Sequence, residues 1–86
     1  MKFYILTEIS VESESPKFVV NRAYRTEESA LSALADLKKH VIEEYEMTLS
    51  GEWTDWDIIQ DTETDYEVKS RHFEQTILIS INEVSI

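Results

Sequence analysis

The chain has no cysteine, so neither a disulfide nor a thiolate-ligated metal can staple it. It has one glycine, Gly51, and one proline, Pro16. A lone glycine excludes the phosphate loop, the dinucleotide fingerprint and the nucleophile elbow, which need several glycines at fixed spacing. The two histidines, His40 and His72, stand far apart and in neither HxxxH nor HExxH spacing, which predicts exposed side chains rather than metal ligands or bases. Long apolar runs are also lacking. Met1 to Leu6 is interrupted at Thr7 and Glu8, too early for a signal sequence or a membrane span. The expectation from these absences is a soluble, cytoplasmic, non-catalytic domain with no cofactor and no bound metal.

Positive charge is missing from one stretch in particular. Residues 1–39 hold six acids and six bases, and residues 69–86 hold two of each. The whole net charge of −10 therefore lies in residues 40–68, which have ten acids and no Lys or Arg. Phosphates need cationic partners, so direct binding to nucleic acid is disfavoured, as is an anionic membrane surface. A basic protein or a cation is the partner this charge fits.

What is present is one helical period bracketed by alternating segments. From Thr26 to Leu49, Ala30, Leu34, Leu37, Val41 and Tyr45 recur on one stripe, widened by Leu31, Ile42 and Leu49. Ser29, Ser32, Asp36, Lys39, Glu43 and Glu46 take the opposite side. Thr26 suits the N-cap, Glu27 and Glu28 suit the positive end of the dipole, and Gly51 suits the stop.

Residues 2–11 alternate, with Phe3, Ile5, Thr7, Ile9 and Val11 on one face, and Lys17 to Arg25 alternate again after a Glu12–Pro16 loop. Two short strands, Asp57–Asp61 and Tyr66–Ser70, flank a polar turn, and Gln75–Ile86 is the strongest strand pattern. Trp53 and Trp56, three apart, point to a turn, and Val84 suggests a bulge near Asn82. The run Ile77-Leu78-Ile79-Ser80-Ile81 belongs inside a sheet beside the first strand, because such a run aggregates on an exposed edge. The fold class expected is α+β: one domain with an antiparallel sheet of four to five strands in β-β-α-β-β-β order and one amphipathic helix on one face. Leu34, Leu37, Val41, Ile5, Ile79 and Ile81 are its expected core.

The candidate partner-binding set is the acidic zone from 43 to 67: Glu43, Glu44, Glu46, Glu52, Asp55, Asp57, Asp61, Glu63, Asp65 and Glu67, with Trp53 and Trp56 as aromatic anchors. Such a zone also serves solubility, and the two Trp residues also suit a lid on a small core. Asp61, Glu63, Asp65 and Glu67 alternate as in a calcium loop, but Tyr66 stands where the EF-hand needs Gly and His72 where it needs Glu. Period 2 on a strand instead places these four acids on one wet face.

In size, acidity, lack of cysteine and α+β pattern, the chain resembles the small acidic inhibitors that phages and mobile elements deploy against restriction or CRISPR nucleases. That resemblance implies mimicry of nucleic acid in the basic groove of a nucleic-acid-binding enzyme. The alternative is an accessory protein acting through self-association, as a homodimer joined by sheet edges or the Trp pair. A calcium-binding or enzymatic domain stands third.

Overall fold

The computed structural model describes residues 1–12, 15–45, 55–71 and 74–86, with the backbone alone for 15–18. In chain order the elements are β1 (Lys2–Glu12), β2 (Ser15–Tyr24), α1 (Glu27–Glu44), β3 (Trp56–Asp61), β4 (Asp65–Ser70) and β5 (Gln75–Ser85). All five strands pair antiparallel in the spatial order β2-β1-β5-β4-β3, and α1 packs on one face. The fold is α+β with the expected order of elements. The isoleucine-rich β5 is central and lies against β1, where both its backbone edges are paired.

Register decides which face is the core, and here one expectation fails. Leu6, not Ile5, is buried under the helix. The odd positions of β1 (Phe3, Ile5, Thr7, Ile9, Val11) are the more apolar, so alternation alone favours the face that the pairing turns outward. The β1–β5 register sets Leu6 opposite Ile81, Glu8 opposite Ile79 and Ser10 opposite Ile77, so the even positions of β1 join the odd positions of β5. Ile77 and Ile79 then pack with Leu34 and Val41 from α1, Tyr66 and Val68 from β4, and Trp56 from β3. Leu37 and Ile81 lie half-buried against this cluster, as expected.

Ile5 looks the other way. It shares the outer face with Phe3, Thr7, Ile9 and Val11 of β1, with Thr76, Leu78, Ser80, Asn82 and Val84 of β5, and with Val19, Asn21 and Ala23 of β2. Among the described residues no element covers this face.

The helix starts as its sequence predicts. Thr26 is extended at φ −123° and ψ 148°, and its hydroxyl accepts from Ser29 N at 3.1 Å. α1 ends at Glu44 with Tyr45 as C-cap, short of the expected Leu49. Tertiary contacts hold Tyr45 there. Its ring meets Trp56 edge-on at 5.8 Å between centroids, and its hydroxyl accepts from Gln75 Nε2 at 3.3 Å. Leu49 and the predicted Gly51 stop lie outside the described residues.

The strand boundaries correct three further expectations. Residues Val11 and Glu12 pair with Pro16 and Ser15, so the strands run into the expected Glu12–Pro16 loop. Pro16 is tolerated because β2 is an edge strand, which spares one row of its amides from the ladder. Trp56 opens β3 rather than a turn. No bulge occurs at Asn82, since β1 and β5 pair without a shift from Lys2 opposite Ser85 to Glu12 opposite Gln75. Val84 already has the parity of Leu78 and needs no shift. The register shifts fall instead between Ser10 and Val11 and between Ile58 and Gln60.

Candidate acidic edge

The shift in β3 determines where the acids point. Before it, Trp56 and Ile58 sit opposite Ser70 and Val68 on the helix side, and Asp57 sits opposite Lys69 on the outer side. After it, Gln60 pairs with Glu67 and Asp61 with Tyr66, so Asp61 has crossed to the helix side. Inserting one residue reverses the parity of everything beyond it. The turn that follows resets the direction again. Thr62 organises it, with N–H donating to Asp65 O at 2.8 Å and Oγ1 accepting from Asp65 N at 3.0 Å. The four alternating acids therefore do not share one face: Asp61 lies on the helix side, Glu63 in the turn, and Asp65 and Glu67 on the outer side.

Bases from the neutral flanks reach into this zone. Arg71 donates to Asp57 Oδ1 through Nε at 2.9 Å and Nη2 at 2.7 Å, and this hydrogen bond holds the Asp57 carboxyl below its ordinary range. Lys38 comes down from α1 to Asp61 Oδ1 at 2.7 Å and to Thr62 O at 2.9 Å. Glu63 and Glu67 have no such partner among the described residues. On the helix, Glu43 is exposed and Glu44 lies 3.4 Å from His40 Nε2. Asp55 accepts a hydrogen bond from Arg71 N through its backbone carbonyl at 3.0 Å.

Trp56, placed among the partner-facing residues by its sequence position, is only 5% exposed and completes the core. Glu46, Glu52 and Trp53 lie outside the described residues. The fold thus gathers Asp57, Asp61, Glu63, Asp65 and Glu67 along one edge and its turn, and leaves Glu43 and Glu44 at the end of α1.

No family model matches the chain, and no curated protein or solved structure does. The candidate site therefore rests on its own geometry.

Across the sheet from the acidic edge is a feature that sequence reading missed. A groove of about 440 Å³ opens between α1 and the inner faces of β1 and β2, lined by Glu8, Val20, Arg22, Tyr24, Leu37 and His40 among others. Burial, then the nearby Glu44, raises the Glu8 carboxyl above its ordinary pKa, against the opposing pull of His40 and Arg22. The signal available in sequence was Glu8 itself, an acid at the inward parity of an apolar strand. The groove is amphiphilic, with two acids and two bases facing it, so it selects no ligand charge.

Proposed function

We propose that this chain is a non-catalytic binding protein that docks its β3–β4 edge on a basic surface of another protein, in the manner of a nucleic-acid mimic. One observation carries the proposal: the sheet order turns a segregation of charge along the chain into a segregation in space. β3, with Asp57 and Asp61 and no base, forms one edge. β2, with Lys17 and Arg22 and no acid, forms the other. A protein that needed acids only for solubility has no reason to collect them at one end, where like charges repel. The last turn of α1 adds support. It carries Glu43 and Glu44 and no base, at the end where the helix dipole disfavours negative charge.

The test is displacement of labelled duplex DNA from a panel of restriction and RNA-guided nucleases, each with a basic groove. The expected result is displacement from at least one, weakening as salt rises. Reversing Glu63 and Glu67 to Lys should weaken it about tenfold or more. Reversing Glu28 and Asp36, exposed acids on α1 away from the edge, should change it little. Equal losses from both pairs would mean that total charge alone acts, and no displacement at all would overturn the proposal.

A further inference from the structure

We propose that the outer face of β2, β1 and β5 is a self-association surface that takes a second copy of this chain, related by a two-fold axis parallel to the strands. The proposal is independent of the acidic edge and goes beyond it. In a chain that is 30% charged, the described outward positions of these three strands carry no charged residue. They are Phe, Ile, Leu, Val and Ala, with a narrow set of Thr, Ser and Asn. Uncharged, mostly apolar surface of this extent on an acidic protein marks an interaction site, and it offers nothing to a basic partner.

The layout along the strands fits a copy of itself. Phe3 and Val84 pair at one end, and Ile9 and Leu78 at the other. Between them runs a polar belt in which Thr7 Oγ1 donates to Asn21 Oδ1 at 2.8 Å, with Ser80 opposite Thr7. An axis parallel to the strands preserves height along them, so apolar ends meet apolar ends and belt meets belt.

Charge chooses between this axis and one running across the strands. An axis across the strands would set β4 over β4, acid against acid. The parallel axis, centred on β1, sets β5 over the partner's β2. It carries β4, with Asp65 and Glu67, just past the partner's β2, so the two β4 strands flank the interface on opposite sides instead of lying one over the other.

Area sets the strength. Three strands ~4.8 Å apart and about ten residues long offer roughly 450–500 Å² per copy, or about 1,000 Å² in all, the low end for a specific interface. The dimer should be weak and reversible, in the micromolar range, and tightened by salt, which screens the repulsion between two acidic copies.

Sedimentation equilibrium over a wide concentration range tests this. Wild type should show a monomer–dimer equilibrium strengthened by salt, and Leu78→Lys should weaken it about thirtyfold or more with an unchanged circular dichroism spectrum. Val20→Lys, on the groove side, should leave it intact. A wild type monomeric throughout, or a dimer that Leu78→Lys spares, would overturn the proposal. Should Leu78→Lys fail to fold, the absence of cysteine allows a second measurement. Thr7→Cys lies near the axis and should be joined into a covalent dimer by a short bis-maleimide, whereas Glu67→Cys should not. Joining through Glu67→Cys alone would overturn the axis.

Discussion

Lys38 and Asp61, 23 residues apart, meet at 2.7 Å between Nζ and Oδ1 and tie the helix to the turn at the acidic edge. The same ammonium donates to Thr62 O and lies 5.1 Å from the centroid of the Tyr66 ring. The register shift in β3 makes this contact available, because without it Asp61 would face away from the helix.

Asp61→Asn tests that tie. Asp61 is half-exposed, so solvent screens the pair, and the loss should be about 0.5–1 kcal/mol. In a domain of this size that lowers Tm by a few degrees in a thermal melt. An unchanged Tm would show that the Thr62 carbonyl alone holds Lys38.

Beneath this contact, the buried Tyr66 hydroxyl has no hydrogen-bond partner among the described residues. Burial, and then Asp61, raises its pKa, so it stays a neutral phenol at physiological pH. An unsatisfied buried hydroxyl costs about 1–3 kcal/mol, so Tyr66→Phe should stabilise the protein by about 1 kcal/mol in urea unfolding. A clear loss of stability would mean that the hydroxyl is hydrogen-bonded in solution.

Register makes Leu34 and Ile5 unequal although both are large apolar residues. Leu34→Ala empties a fully buried position and should cost about 2–4 kcal/mol. Ile5→Ala trims a half-buried side chain on the outer face and should cost about 1 kcal/mol. Equal costs in urea titrations would place Ile5 in a second buried layer.

Glu8 should shape the pH dependence of stability. Burial and Glu44 raise its folded pKa above the unfolded value, so its ionised form opposes folding at neutral pH. That penalty is present above the folded pKa and is relieved as pH falls through it. Glu8→Gln should therefore melt higher than wild type at neutral pH, and the gap should close as pH falls through the ordinary carboxylate range. A wild type more stable than Glu8→Gln at neutral pH would show that Arg22 or His40 outweighs burial.

The sequence by itself determined the elements and their order. An N-cap, a 3.6-residue stripe and several period-2 segments are local signals, and each depends on residues a few positions apart. It also placed β5 inside the sheet, because an isoleucine-rich strand is unstable at an edge. The tertiary structure decided what depends on register between distant segments. Alternation within β1 favours its odd face, and it is the pairing of its even positions with Ile77, Ile79 and Ile81 of β5 that puts Leu6 inside and Ile5 outside. The acids of residues 40–68 read as one unneutralised block, yet one inserted residue in β3 divides them between two faces. Lys38 and Arg71 then meet two of them from either side. Charge along a chain is a one-dimensional fact, and whether it becomes a surface depends on which strands the fold sets at the edges.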